Sequence, residues 1–130
     1  MSIEVTGGCK CGLVRYSGVR AKADMFRCHC RDCQQLTGTG HSEMMPLEAA
    51  TFSIGDAVKN FEMVARSGRS TYSGFCPECG SQLTRRSEVN NDSVYVHAGS
   101  LDDPEDYAPT KSIYVSSAPT WDDVVNESTD

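Results

Sequence analysis

Seven cysteines stand in three short clusters, and clusters of this kind either bind a metal or react as thiols. Their number is odd and their spacings are two or three residues, which favours metal ligation in a reducing compartment over a disulfide framework. Zinc is the metal whose tetrahedral sites most often use paired thiolates. The clusters are Cys9-Lys10-Cys11, Cys28-His29-Cys30-Arg31-Asp32-Cys33 and Cys76-Pro77-Glu78-Cys79.

The third cluster continues into Gly80 and resembles a zinc knuckle, in which a tight turn brings both sulfurs to one metal. This cluster supplies two of the four ligands of a tetrahedral site. The glycine-flanked turn with Cys9 and Cys11 can supply the other two, because alternate side chains of a bent strand converge on one side. The spacing therefore predicts a closed structural zinc site, with a redox dithiol at the third cluster as the alternative. Its ligands are Cys9, Cys11, Cys76 and Cys79.

The middle cluster keeps three thiols, and no fourth cysteine remains in the chain to complete their shell. Catalytic zinc sites leave one position for water or substrate, so the shortage predicts an open second zinc site. An iron–sulfur cluster is a weaker alternative, because it usually needs four cysteines. A second closed zinc site completed by a histidine is another alternative, and the chain offers His29, His41 and His97. The ligands of the predicted open site are Cys28, Cys30 and Cys33.

These clusters must be positioned by strands, since short runs of alternating character bounded by turn residues dominate the sequence. Helical signals are limited to a turn or two at 31–36 and at 102–107. The architecture predicted is therefore mainly β with few short helical turns. The strands are expected at 3–6, 13–17, 44–45, 51–54, 61–65, 71–75, 94–97 and 112–115.

Length and charge narrow the classes of function. A chain of 130 residues predicts one domain, at 1–125, and the polar residues 126–130 are expected to fray. Twelve basic against 18 acidic residues give a net charge of -6, which disfavours nucleic acid and anionic lipid as partners. The sequence shows neither a secretory signal nor a membrane span, so we expect a cytoplasmic protein.

The same residues resemble the family of glutathione-dependent formaldehyde-activating enzymes and centromere protein V-like proteins over nearly the whole chain. The resemblance implies a zinc-stabilised β-tent fold of layered antiparallel sheets with two zinc ions, one structural and one catalytic, on the cysteines grouped above. Ser112 departs from it, because relatives often carry a histidine there, and so does His41, where an aromatic or aliphatic residue is common. The matching segments are Gly8 to Gly12 with Val14-Arg15-Tyr16, Cys28-His29-Cys30 with Cys33 and Gly38, Phe75 to Ser81, Gly99 to Pro104, and Pro109 with Ile113 to Trp121.

The activity implied is that of a zinc-dependent carbon–sulfur lyase, similar to S-hydroxymethylglutathione synthase, acting on the adduct of a small thiol such as glutathione and a small aldehyde such as formaldehyde. Such an addition needs a proton donor, for which His41, Glu43 and Asp32 are the candidates, although each is also explained as an ordinary solvated or packed residue. A non-catalytic, zinc-stabilised binding or chaperone-like module on the same fold is the alternative function.

Basic and aromatic residues offer further hypotheses about a substrate. Four arginines can hold a substrate carboxylate, or can instead protect strand edges from pairing. Three aromatic residues can line a pocket, although large aromatics in a small β domain lie mainly in the core. The arginines are Arg66, Arg69, Arg85 and Arg86, and the aromatics are Trp121, Tyr114 and Tyr16.

Overall fold

The computed structural model describes residues 2–125 and 127–129. These residues form two sheets, one short α-helix and several 3-10 turns, which confirms the predicted mainly β fold of layered antiparallel sheets. Within this described part of the chain, no helix is long and apolar enough to cross a membrane. The strands are β1 (Glu4–Gly8), β2 (Arg15–Val19), β3 (Phe26–Cys28), β4 (Ser42–Glu48), β5 (Ser53–Ile54), β6 (Lys59–Val64), β7 (Ser70–Phe75), β8 (Gln82–Ser87), β9 (Ser93–His97), β10 (Lys111–Ile113) and β11 (Glu127–Thr129), and the helix is α1 (Arg31–Thr37).

The smaller sheet has the order β1-β2-β5 and is antiparallel. The larger sheet has the order β11-β10-β3-β4-β9-β8-β7-β6. Its pairs are antiparallel except at one end, where β10 runs parallel to both β3 and β11. Strand β11 lies inside the predicted polar end, of which residues 126 and 130 fall outside the described residues; the domain boundary at 125 stays a prediction.

The hydrophobic core lies between the sheets, because its side chains come from both. Val5 of β1 and Tyr16 of β2 pack in one cluster with Met45 and Leu47 of β4 and Leu83 of β8. Each of these five side chains is at most 3% exposed. Burial of apolar side chains such as these is the main stabilising contribution to a domain of this length. Strand β4 therefore packs Met45 and Leu47 into the core from one face, and its other face does not contribute to this core cluster.

Strand β4 extends further than the sequence predicts, running through Pro46 to Glu48. A proline breaks a ladder only where its nitrogen faces the partner strand. Here the carbonyl of Pro46 accepts from the amide of Ala21, and the nitrogen and carbonyl of one strand residue point to the same side. The nitrogen therefore faces away from β9, and no ladder hydrogen bond is lost.

The strand predicted at 112–115 is too long. Strand β10 ends at Ile113, because Tyr114 has a φ of 55° and the chain then forms a 3-10 turn at Val115–Ser117. The strand predicted at 51–54 is likewise shortened to β5 by a preceding 3-10 turn. Strands β3, β8 and β11 are not predicted at all. Strand β8 reads Gln-Leu-Thr-Arg-Arg-Ser, and so polar a sequence forms a strand only because β7 and β9 flank it.

Candidate metal centres and cavity

Four of the cysteine sulfurs meet where two hairpins approach each other. The β1–β2 hairpin supplies Cys9 and Cys11, and the β7–β8 hairpin supplies Cys76 and Cys79. The Sγ atoms of Cys9 and Cys11 are 3.6 Å apart, and those of Cys11 and Cys76 are 3.7 Å apart. Zinc–sulfur bonds of 2.3 Å in a tetrahedron place the sulfurs about 3.8 Å apart. The donor set and its spacing therefore fit a four-thiolate zinc site, as the sequence predicts.

The two turns that carry this cluster are built alike. In each, a glycine with positive φ donates its amide to the carbonyl of the first cysteine, at 3.1 Å from Gly12 to Cys9 and at 2.8 Å from Gly80 to Cys76. A side chain at either glycine would be strained in this left-handed conformation. The amide of Val14 also donates to the sulfur of Cys9 at 3.2 Å and lowers the pKa of that thiol. The local sequence therefore shapes the cluster and favours the thiolate form of Cys9.

The other three sulfurs cluster at the end of β3 and the start of α1. Cys28 is the last residue of β3, Cys30 caps the amino end of α1, and Cys33 lies in its first turn. The Sγ atoms of Cys28 and Cys30 are 3.5 Å apart. All three sulfurs lie within 4.8 Å of one another, and within the described residues no histidine nitrogen or carboxylate oxygen joins them at that distance. The cluster offers a metal three thiolates.

The first negative charge in this cluster falls on Cys30. Hydrogen bonding from the thiol of Cys28, then from that of Cys33, lowers the pKa of Cys30, and the backbone amide of Cys33 acts in the same direction. The thiolate on Cys30 in turn raises the pKa of Cys28. This is the expected behaviour of thiols crowded at one point, where one ionises easily and its charge opposes the next. A bound divalent cation would remove that opposition.

The three-thiol cluster forms part of the wall of a cavity of about 380 Å³. The side chains of Phe26 and Cys28 on β3 face it, together with those of Ser42 and Met44 on β4. These residues are register partners, Phe26 with Met44 and Cys28 with Ser42. The cavity therefore lies on the side of β4 that the core leaves open.

Five arginines and one acidic side chain also line this cavity. The Nη1 atom of Arg85 lies 3.7 Å from the sulfur of Cys33, at the junction of cavity and cluster. The guanidinium of Arg86 lies 5.4 Å from the centroid of the Phe52 ring, and the remaining surplus of guanidinium groups suits a ligand that carries carboxylates. The arginines are Arg31, Arg66, Arg69, Arg85 and Arg86, and the acid is Asp32.

Comparison with known proteins agrees with this arrangement. A family profile described as Glutathione-dependent formaldehyde-activating enzyme matches residues 4–117, which include all seven cysteines.

The chain belongs to this family.

A crystal structure of a Rhodobacter sphaeroides protein is similar in fold, with a TM-score of 0.62 over 78% of this chain and 93% of that one at 19% sequence identity. No curated protein matches the chain.

The sequence candidates for proton transfer divide between the two sides of this family fold. Asp32 lines the cavity, where its carboxylate accepts from the guanidinium of Arg66 at 2.6 Å and from the Arg66 amide at 3.0 Å. His41 and Glu43 alternate with the cavity-facing residues of β4 and do not line the cavity. Their roles stay predictions, and the geometry brings only Asp32 to the cluster.

His41 and Glu43 belong to a polar network on the opposite side. The Nε2 of His41 lies 2.9 Å from a Glu43 oxygen, and the Nε of Arg27 donates to the same carboxylate at 2.9 Å. The Tyr107 hydroxyl donates to Glu43 at 2.8 Å. Burial and then this contact raise the pKa of Tyr107. The network therefore holds β3 and β4 together behind the cluster.

The histidines considered as a fourth zinc ligand lie elsewhere. His29 is fully buried and its Nδ1 contacts Asp122, so its side chain points away from the cysteines beside it, as the alternation of an extended segment predicts. His41 contacts Asp122 as well. His97 is the register partner of Met44, but its ring nitrogens do not join the three sulfurs within 4.8 Å; burial, assisted by the charge of Arg85, lowers the pKa of His97 to about 4. These placements support an open rather than a closed second site.

Some residues that line the cavity are not predicted from the sequence, and some residues that are predicted lie outside the cavity. Ser42, Met44 and Tyr95 line the cavity but carry no motif. Of the aromatics considered for a pocket, Tyr114 lines the cavity, whereas Tyr16 is core and Trp121 is 70% exposed. All four arginines suggested for substrate binding line it. A signal for the missed residues exists only once β3, β4 and β9 are paired in register.

Proposed function

We propose that the protein is a zinc-dependent carbon–sulfur lyase that acts on the adduct of a small thiol and a small aldehyde. Glutathione and formaldehyde are the pair that the family description names. One observation carries the proposal, namely a three-thiol cluster, without a fourth protein ligand among the described residues, that opens into an arginine-lined cavity. A closed structural zinc site has no free coordination position and therefore needs no ligand cavity beside it.

Two zinc ions are proposed, one at each cysteine cluster. The four-thiolate site ties two hairpins together and stabilises the fold. Zinc at Cys28, Cys30 and Cys33 would supply an open coordination position for the substrate sulfur and lower the pKa of that thiol. Seven thiols free of disulfides need a reducing compartment, which supports a cytoplasmic location.

The residues of the cavity have separate roles in this reaction. In the direction of adduct formation, the thiolate sulfur attacks the carbonyl carbon, the carbon–sulfur bond forms as the carbonyl π bond breaks, and the resulting alkoxide oxygen takes a proton from a donor group or from water. Cleavage reverses each step. Arg85 stabilises negative charge beside Cys33, and Arg66 and Arg69 bind the carboxylates of an anionic thiol such as glutathione. Asp32 accepts two hydrogen bonds from Arg66 and holds it in place, and proton donation by Asp32 is the alternative role.

Exchange spectroscopy tests this function directly. NMR measures the rate at which formaldehyde and its glutathione adduct interconvert, with and without zinc-loaded protein. We expect the protein to accelerate this interconversion. The acceleration should disappear in Cys30→Ser and persist in the control variant Ser17→Ala, whose serine lies in β2 of the smaller sheet. Absence of acceleration with glutathione and with other small thiols would reject the lyase and favour the zinc-stabilised binding module.

A further inference from the structure

A buried polar contact lies directly behind the reactive cluster. His29 stands between Cys28 and Cys30 in the chain, and its side chain is 0% exposed. Its Nδ1 lies 2.9 Å from an oxygen of Asp122, whose side chain is 7% exposed. The Nδ1 of His41 lies 2.8 Å from the same carboxylate. One carboxylate therefore contacts two histidines from two different segments, one before α1 and one before β4.

The distances from the ring nitrogens of His29 and His41 to the Asp122 carboxylate are those of hydrogen bonds. Burial raises the pKa of Asp122, but hydrogen bonds and charge from His41 and then from His29 outweigh it, and that pKa lies below its ordinary value. The carboxylate is therefore the charged acceptor of the network.

The backbone around His29 is anchored at both of its polar atoms. Its amide donates to the carbonyl of Ile113 at 3.0 Å, and its carbonyl accepts from the Nε2 of Gln34 at 2.9 Å. The same Gln34 nitrogen also donates to the carbonyl of Ser117 at 3.0 Å. Asp122 supplies the matching anchor for the side chain. A residue held through both its backbone and its side chain has a fixed orientation. The two cysteines bonded to it in the chain are therefore held in position as well.

Asp122 reaches this position from a segment that follows the family-matched region, which ends at residue 117. The segment is docked, since the amide of Val125 donates to the hydroxyl of Ser112 at 2.9 Å. Gly40 leaves room for the carboxylate, because a Cβ atom there would come within 2.4 Å of the Asp122 Cγ. The glycine and the aspartate therefore fit together as a pair.

We propose that Asp122 is a positioning residue, which fixes the Cys28–Cys30 loop through His29 and so sets how firmly the three-thiol cluster holds its metal. The inference rests on the proposed function, because it takes that cluster to be a zinc site. It adds a contribution from the segment after residue 117 to the site. Asp122 touches neither the metal nor the substrate in this account.

The test compares Asp122→Asn with Asp123→Asn, an exposed neighbour with the same change of charge. Asp122→Asn removes the negative charge and replaces one acceptor oxygen by an NH2 group, so the contacts to both histidines become weaker. Zinc release to a chromogenic chelator is followed in the zinc-loaded proteins, together with thermal unfolding. Loss of a residue that orients a metal site typically weakens metal binding 10-fold to 100-fold. We expect one of the two zinc ions to leave about 10-fold faster in Asp122→Asn, and both to leave at the wild-type rate in Asp123→Asn.

Gly40→Ala provides a second, independent disturbance that keeps every polar group. Its methyl group displaces the Asp122 carboxylate, and we expect the same zinc ion to leave faster. This variant decides the question if Asp122→Asn does not fold. Wild-type release of both ions from a folded variant, even with a lowered melting temperature, would overturn the positioning role alone. A wild-type protein that binds a single zinc would instead contradict the proposed function, and this inference with it.

Discussion

The guanidinium of Arg85 lies 3.7 Å from the sulfur of Cys33 and joins the thiol cluster to the cavity. Its other terminal nitrogen donates to the hydroxyl of Thr71 at 3.3 Å, which directs the side chain from β8 along the cavity wall. A cation in this position favours thiolates at the cluster and an anionic substrate beside them. Arg85 therefore gives the most direct test of the charge of the cavity.

Replacing Arg85 by methionine should weaken binding of the thiol while leaving the metal in place. We expect the KM for glutathione to rise about 10-fold, equivalent to about 1.4 kcal/mol, and Arg85→Lys to recover part of the loss. Steady-state kinetics at saturating formaldehyde measure this. Arg20→Met removes the same charge outside this cavity and serves as the control. An unchanged KM in Arg85→Met would show that the cavity charge does not select the substrate.

The two cysteine clusters should respond differently to a single serine. Cys76 is fully buried in the four-thiolate site, so Cys76→Ser removes a ligand whose metal contributes on the order of 10 kcal/mol, comparable to the whole stability of a domain. We expect Cys76→Ser to be largely unfolded by circular dichroism. Cys30→Ser should stay folded and carry one zinc per chain by elemental analysis. Equal unfolding of both variants would contradict the division into structural and reactive sites.

Asp32 is paired with an exposed arginine, and its substitution separates two roles. If it only holds Arg66, Asp32→Asn loses an ion pair to a largely exposed arginine, of about 0.5–1 kcal/mol, and raises KM about 2-fold to 5-fold. Loss of a proton donor would instead lower kcat by about 100-fold or more. The pairing geometry leads us to expect the KM effect. A large fall in kcat at unchanged KM would assign proton transfer to Asp32.

His97 should make stability depend on pH. Its pKa is lowered to about 4 in the folded protein from an ordinary value of 6.5, chiefly by burial. Below pH 6.5 the unfolded chain therefore binds a proton that the folded one refuses, and stability falls as pH drops from 6.5 toward 4. Between pH 7.5 and 5.5 we expect wild type to lose about 1 kcal/mol more than His97→Gln. Urea unfolding at the two pH values measures this, and parallel losses would contradict it.

The cysteines show how far local sequence reasoning extends. The grouping of Cys9, Cys11, Cys76 and Cys79 follows from spacing alone, because each pair sits in a glycine turn that the sequence itself dictates. The helical turn predicted at 31–36 is confirmed as α1, which begins directly after Cys30. The spacing of metal ligands within a cluster is a local property of the sequence, so it can be recognised without knowledge of the fold.

The rest of the site depends on pairing between strands that are distant in sequence. His41 and Glu43 look like suitable acids or bases beside the second cluster, yet the pairing of Cys28 with Ser42 turns both to the opposite side of β4. A shift of one residue in that register would have exchanged the two faces. Asp122 meets His29 across 93 residues, and its own neighbourhood in the sequence gives no sign of this contact. Register and long-range contact are fixed by the packed fold.

The central claim is that the second zinc keeps a position for a substrate thiol, and cobalt substitution tests it most directly. Cobalt(II) is bound at both clusters, glutathione is added, and the visible ligand-field and thiolate bands are recorded. We expect the bands of one cobalt to change saturably in wild type, with no change in the bands that Cys30→Ser retains. Bands that do not respond to glutathione or to any other small thiol would contradict an open thiol-binding site.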